Sequence, residues 1–246
     1  MRLDIALVER GLCDSREKAK RAILAGQVLV NNQIAQKASD LVKEGDALAL
    51  AAPERFVSRG GYKLEGGLEH FHIDVQGAVA VDLGASTGGF TDCLLQRGAA
   101  CVYAVDVGRG QLAWKLRRDR RVVVMEKTNA RSLTRASFPP SFAGADIVVA
   151  DCSFISLQKI LPAAIELLRD SGKILALVKP QFEAGKAEAD KGAGVITDRA
   201  VHRRVLDTLE AWVAAHTPLR WRGSVESPLT GPAGNKEFLA LLEKQA

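Results

Sequence analysis

The apolar run Ala78-Val79-Ala80-Val81 feeds directly into Asp82-Leu83-Gly84-Ala85-Ser86-Thr87-Gly88-Gly89-Phe90-Thr91, and a second run, Val102 to Val105, closes on Asp106. A β-branched stretch, a glycine-rich turn and an amphipathic segment from Phe90 to Arg97 predict strand, ligand loop and helix. That is the front half of a nucleotide-binding βαβ unit, and it constrains the fold most, because parallel strands need a crossover and a sheet covered on both faces. Gly84 lets a ligand come close to the backbone. An acid about 20 residues further on, at the tip of the second strand, can accept hydrogen bonds from both hydroxyls of a ribose. The expected ligand therefore contains an adenosine-like moiety.

The loop departs from G-x-G-x-x-G. Counting from Gly84, the third position is Ser86, and Gly88 and Gly89 are adjacent, so the dinucleotide fingerprint fails at its second glycine. The form D-x-G-x-x-x-G-G-F is closer to the loops of S-adenosylmethionine enzymes, which have no pyrophosphate to cradle. Asp82 is then expected at the ammonium of the methionine part, with Gly84, Ser86, Thr87 and Gly88 along it and Phe90 beside the loop. Asp106 is expected on the ribose and Asn129, after the third strand, at the adenine edge. Gln111 to Trp114 could shield the adenine face, with plain helix packing as the alternative.

The segment from Met1 to Leu50 is organised differently. Leu3 to Val8 begin a short helix, Asp14 or Ser15 caps a second, and Ala19, Ile23 and Leu24 give that helix an apolar face opposite its charges. Gly26 ends it. Val28 to Val30, Asn31-Asn32 and Gln33 to Ala35 predict a tight hairpin, and Ala47 to Leu50 a last strand. The pattern R-L-D-x-x-L-V-x-R-G-L-x-x-S-R-x-x-A-x-x-x-I-x-x-G-x-V-x-V-N, from Arg2 to Asn31, resembles the S4 RNA-binding domain. Helix-borne Arg2, Arg16, Lys18, Lys20 and Arg21 would track phosphates.

From Ala52 to Gly61, proline, glycine and charge replace periodic apolar residues, which predicts a linker. Beyond it the expected order is a helix (63–71), a strand (78–81), a helix (90–97), a strand (102–106), a helix (112–117) and strands at 122–125 and 146–150. Then come a helix (157–168), a strand (173–178), a long helix (198–215) and strands at 221–225 and 237–242. Alternation predicts an α/β fold, a Rossmann-like parallel sheet closed by an antiparallel edge, with ligands at the carboxyl ends of the strands.

Four charged residues stand at that carboxyl edge: Asp151 after Ile147 to Ala150, Lys179 after Leu175 to Val178, Lys63 on the entering helix, and Glu237 beginning the last strand. Two lysines and two acids would be costly there if buried unpaired, and are sensible around a substrate hydroxyl. Their surroundings, Arg59-Gly60-Gly61-Tyr62-Lys63-Leu64, Asp151-Cys152-Ser153-Phe154-Ile155-Ser156, Leu177-Val178-Lys179-Pro180-Gln181-Phe182-Glu183 and Gly234-Asn235-Lys236-Glu237-Phe238, resemble the motifs of the TlyA-type ribosomal RNA methyltransferases. The catalytic module of that family is similar to the FtsJ-like 2′-O-methyltransferases.

The resemblance covers essentially the whole chain and implies an S4-like RNA-binding domain at 1–52, a linker at 53–62 and a methyltransferase domain at 63–246. It implies a catalytic tetrad of Lys63, Asp151, Lys179 and Glu237, S-adenosylmethionine as cofactor, and ribosomal RNA or a ribosomal subunit as partner, with a cytidine 2′-hydroxyl methylated. A 2′-hydroxyl is a poor nucleophile, so the enzyme must orient the oxygen and help remove its proton. Lys179, buried beside Lys63, could accept that proton or stabilise the alkoxide. The short ends of the chain resemble the members that modify only large-subunit RNA. An assembly factor without catalysis and a membrane-active haemolysin, a label the family has carried, are the alternatives.

A net charge of +5 and a pI near 9.1 lean towards a polyanionic partner, and Arg109, Lys115, Arg117, Arg118, Arg120 and Arg121 form a second basic cluster. Cys13, Cys93, Cys101 and Cys152 form no C-x-x-C pair, so neither zinc nor a disulfide frame is expected. No apolar run approaches the roughly 18 residues needed to span a bilayer, and the first residues lack the parts of a signal peptide. A cytoplasmic protein without a membrane partner is expected. Gly192 to Val195 is expected to form a loop over the active edge.

Overall fold

A computed structural model describes residues 1–51, 54–185, 188, 192 and 194–245. Ala52-Pro53, where the linker is expected to begin, and residue 193 of the loop expected at 192–195 lie outside the described residues. The chain forms two compact units, one from Met1 to Arg55 and one from Phe56 onward.

In the first unit, α1 (Leu3–Glu9) and α2 (Arg16–Leu24) pack on a three-stranded antiparallel sheet of order β2-β1-β3. Its strands are β1 (Val28–Val30), β2 (Gln33–Ile34) and β3 (Leu48–Leu50). Ser15 caps α2 by accepting from the Lys18 N–H at 3.3 Å. Asn31 and Asn32 hold φ of 49° and 64°, the two left-handed residues that a tight hairpin turn requires. The core is Leu3, Ala6, Leu7, Ala19, Ile23 and Val28. Leu24, expected on the apolar face of α2, is 82% exposed. It lies about 100° round the helix from Ile23, which carries it past the buried stripe.

The second unit is a seven-stranded sheet of order β6-β5-β4-β7-β8-β10-β9. Strands β4 (Val79–Leu83), β5 (Cys101–Val105), β6 (Val122–Met125), β7 (Ala145–Ala150) and β8 (Leu168–Val178) run parallel, and β10 (Phe238–Lys244) lies antiparallel between β8 and β9 (Leu219–Glu226). Helices α3 (Gly60–His70), α4 (Gly89–Gln96), α5 (Trp114–Arg117), α6 (Leu161–Leu167), α7 (Pro180–Glu183) and α8 (Arg199–His216) complete it. Alternate strand residues feed two cores: Val81, Val148 and Ile174 on one face, Ala80, Val149 and Leu175 on the other. Both faces are buried, which is why the strands read as unbroken apolar runs. Strand order reverses between β4 and β7, so a crevice opens outside their carboxyl ends.

Three local differences from the sequence reading have plain causes. Helix α5 is a single turn, because the chain before it is extended at Ala113. The helix expected from Leu157 starts as a 3-10 turn, Leu157–Lys159, and becomes α-helical at Leu161, ahead of Pro162 in its first turn. Strand β8 begins at Leu168, paired with Ala145, and rejoins the ladder at Ile147↔Lys173 across an irregularity that holds Ser171 at φ 60°.

Phe56 is buried in the second core, inside the stretch read as linker. A Cβ on Gly61 would stand 2.2 Å from the Phe56 ring, so the glycine makes room for it. Among the described residues no helix is long and apolar enough to cross a membrane. Gly61→Ala is expected to overpack this contact and destabilise the second unit by about 1–3 kcal/mol. Urea unfolding reads the loss, and Phe56→Leu in the same chain should recover part of it.

Candidate active site

A cavity of about 500 Å³ opens at the carboxyl ends of β4, β7 and β8. Its wall includes the Gly84 to Thr87 loop, Gly89 and Phe90, together with Lys63, Asp151, Ser153, Lys179 and Glu237. All four charged residues singled out in the sequence therefore meet at one place. They form two ion pairs: Lys63 Nζ lies 2.5 Å from Glu237 Oε2, and Lys179 Nζ lies 2.6 Å from Asp151 Oδ1. Lys179 also donates to Ser153 Oγ at 2.9 Å. Each lysine thus has a carboxylate of its own to orient it, the arrangement in which Asp151 and Glu237 hold the two lysines at the cavity wall.

The strands explain the convergence. Ala150 pairs with Ala176, so the parallel ladder delivers Asp151 and Lys179 to one end. Phe238 pairs antiparallel with Val178, which brings Glu237 to that end from the other direction. Helix α3 reaches it because Gly67, one turn after Lys63, has no side chain; a Cβ there would stand 3.1 Å from both Leu175 and Leu239. Gly231 does the same for the final loop, where a Cβ would stand 2.6 Å from Glu237 Oε1.

The loop after β4 suits close ligand approach. Gly84 holds φ 83°, and a Cβ there would meet the Asp151 carbonyl oxygen at 2.7 Å. Ser86, at φ 47°, donates its N–H to Asp106 Oδ2 at 2.8 Å, while the other Asp106 oxygen accepts from Gly108 N–H at 2.6 Å. Each oxygen of Asp106 keeps a second acceptor site for a ligand hydroxyl. Ser86 and Thr87 line the cavity, and Phe90 belongs at once to the core and to the wall.

Three cofactor expectations need correction. Asp82 does not line the cavity: it is fully buried beneath the loop, and its Oδ2 accepts from the Thr91 N–H at 3.0 Å and hydroxyl at 2.6 Å. Its Oδ1 has no hydrogen-bond partner among the described residues. Burial pushes its carboxyl up to about 7 against the Thr91 hydrogen bonds, and the negative charges of Asp151 and Asp106 add to the rise. Gly88 faces α5, where a Cβ would stand 2.3 Å from Leu116, and Gly89 takes its place on the wall. Asn129 is exposed and caps a 3-10 turn, accepting from the Arg131 N–H at 3.0 Å.

Other groups were not picked out from the sequence. Ser58, Arg59, Thr230 and Pro232 line the cavity, and Arg59 Nη2 donates to the Thr230 carbonyl at 2.7 Å. Ser153 had a legible signal, a hydroxyl two residues after a strand-end acid. Phe154 is 89% exposed at φ 63°, its ring centroid 5.1 Å from that of Phe182. Glu183 fastens the following loop by accepting from Ser156 Oγ and the Leu157 N–H, both at 2.7 Å, and burial raises its carboxyl. Burial also pushes the Cys152 thiol up to about 12, which favours the protonated thiol. Among the described residues no cluster of His, Cys, Asp or Glu could hold a metal ion.

In the first unit the candidate RNA contacts are mostly held in place. Arg2 and Arg16 share the buried Asp4, at 3.0 and 2.9 Å, and hold its carboxyl well below the usual range. Lys18 pairs with Asp14 and Lys20 with Glu17, while Arg21 is exposed with no ion pair among the described residues.

The model of the FtsJ-like methyltransferase family matches residues 56–244, and that of the S4 domain matches residues 1–48. The 16S/23S rRNA (cytidine-2'-O)-methyltransferase TlyA of Mycobacterium tuberculosis is 46% identical, over 99% of this chain and 90% of that protein. The 23S rRNA (cytidine-2'-O)-methyltransferase TlyA of Campylobacter jejuni is 30% identical over 97% of each. A solved structure from Streptococcus thermophilus, described as a hemolysin, shares 43% identity at a TM-score of 0.76 and covers 100% of this chain and 88% of that one.

Asp82 generates a stability prediction. Its folded pKa is raised above the ordinary carboxylate value of 3.8, so folding takes up a proton and stability falls as pH rises from about 4 to about 7. Asp82→Asn keeps an acceptor for Thr91 and removes the ionisation. The variant should gain melting temperature over the parent at pH 8 and lose that advantage at pH 4; equal differences at both would refute the assignment.

Proposed function

We infer the function from one premise: this chain belongs to the FtsJ-like methyltransferase family, with an S4 domain ahead of the catalytic one. It is an S-adenosylmethionine-dependent ribosomal RNA methyltransferase, and the acceptor is the 2′-hydroxyl of a cytidine in large-subunit RNA. The observation that carries this reading is the pair of lysine–carboxylate contacts facing one cavity beside the glycine loop. Two relatives named as cytidine 2′-O-methyltransferases both act on 23S RNA by their names, which supports the large subunit. An enzyme of that kind works in the cytoplasm, where ribosomal subunits are assembled.

The residues fit the cofactor. The backbone of Gly84 to Thr87 lines the cavity, seated on the chain after β7 because Gly84 has no Cβ, and Asp106, bonded to the Ser86 N–H of that loop, keeps acceptor capacity for ribose hydroxyls. When bound, S-adenosylmethionine supplies an electrophilic methyl group. The chain must then present an oxygen in line with it and hold the charge that develops there. We assign that task to Lys179, a cation buried at the wall and oriented by Asp151 and Ser153. Its ammonium donates to the hydroxyl oxygen and balances the forming alkoxide, and the departing proton passes to the Asp151 carboxylate and on to solvent. Lys63, held by the buried Glu237, adds a second positive charge without leaving an unpaired one behind.

Lys179→Ala is expected to lower methyl transfer by about 10²–10⁴-fold while S-adenosylmethionine affinity stays within about twofold. Labelled methyl transfer to ribosomal subunits lacking the modification, with nuclease mapping of the product, measures the first; calorimetry measures the second. Turnover retained in the variant would remove Lys179 from the central role.

A further inference from the structure

The basic segment from Asp106 to Lys127 takes little part in the site just described beyond its first residue. It holds seven cations against three acids. Lys115 is paired with Asp92, Arg117 with Glu126 and Arg121 with Asp119. Arg109, Arg118, Arg120 and Lys127 are exposed and, among the described residues, have no carboxylate partner. Trp114, in their midst, is 71% exposed and lines no part of the cavity.

Backbone contacts set these side chains in two pairs on the same side of the unit, with Arg120 two residues beyond Arg118. The Arg118 N–H donates to the Trp114 carbonyl at 3.3 Å, so residue 118 stands one helical turn from the indole and on its side of the turn. The Lys127 N–H donates to the Gly108 carbonyl at 3.0 Å, which sets Lys127 beside Arg109. Strand β6 is the edge of the sheet, so no further strand covers this side. The stripe also reaches the cavity rim: the Ala113 N–H donates to the Thr87 carbonyl at 3.1 Å, and Ser86 Oγ to Gln111 Oε1 at 3.3 Å.

An exposed indole and four unneutralised cations want different things, apolar contact and negative charge. An unpaired RNA strand supplies both, a base face for the indole and phosphates for the cations. We propose that this edge is a second RNA-binding surface, built into the catalytic unit, where an unpaired base stacks on Trp114 and Arg109, Arg118, Arg120 and Lys127 hold the flanking phosphates. The inference rests on reading the chain as an RNA methyltransferase. It gives Trp114 a different role from the shielding of an adenine.

The test uses the full chain, Trp114→Ala and an Arg118→Glu/Arg120→Glu double variant, with binding to protein-free large-subunit RNA, KM and kcat on the methylated substrate, and S-adenosylmethionine affinity measured for each. Trp114→Ala should weaken RNA binding and raise KM about tenfold with kcat within about twofold. The double variant should flatten the salt dependence of RNA binding by about 0.7 for each phosphate it no longer neutralises. Cofactor affinity should not move in either. Unchanged RNA binding in both variants overturns the proposal. So does a loss of cofactor affinity in Trp114→Ala, which would make the indole a cofactor wall, and so does an effect seen only with assembled subunits, which would point to a ribosomal protein. A parent protein that binds RNA but transfers no methyl would sink the enzymatic reading alone, because the binding arm still reads this surface.

Discussion

Three buried charges and the half-buried Asp151 meet at one sheet edge and must neutralise one another in pairs, and much of the second unit serves that requirement. An unpaired lysine or carboxylate there would cost several kcal/mol, whereas two close pairs with further hydrogen bonds are tolerable. The pairs exist only because three strand ends and one helix arrive together: β7 and β8 in parallel register, β10 antiparallel, and α3 pressed down where Gly67 leaves room. A one-residue slip in β10 would turn Glu237 to the opposite face of the sheet and leave Lys63 without its partner.

The same edge concentrates negative charge at its centre. Asp106 and Asp151 follow β5 and β7, and Asp82 is the last but one residue of β4, the strand between them. Each is dealt with differently: Asp106 by the backbone N–H groups of Ser86 and Gly108, Asp151 by Lys179, and Asp82 by burial beneath Thr91, with one oxygen lacking a hydrogen bond among the described residues. The glycine loop lies over these acids, and its left-handed non-glycine residue, Ser86, is held by the Asp106 carboxylate.

Much of this was legible in the chain. The period of the apolar runs and the glycine punctuation marked the succession of strands and helices. Acids and lysines directly after strands marked the cavity, since the carboxyl edge of a parallel sheet collects whatever follows its strands. What sequence reasoning missed depends on side-chain direction. Asp82 and Gly88 belong to the loop motif, yet one points beneath the loop and the other towards Leu116. Asn129 sits at the right strand end but spends its carbonyl on a cap. Thr230 and Pro232 come from a segment without period or motif, and only the folded chain brings them to the wall beside Arg59. The positive φ of Phe154 has no signature in an aromatic residue.

Phe56 seated on Gly61 has a mechanical consequence. The chain leaving the first unit does not end in slack at the second; it enters the hydrophobic core five residues before that glycine, and Gly61 lies two residues ahead of Lys63 on the same helix. Tension on the connector is therefore borne by an aromatic anchor before it reaches the catalytic lysine. A free-standing catalytic module cut from this chain has to begin at or before Phe56, because one begun at the helix itself would leave a ring-sized hole behind Gly61.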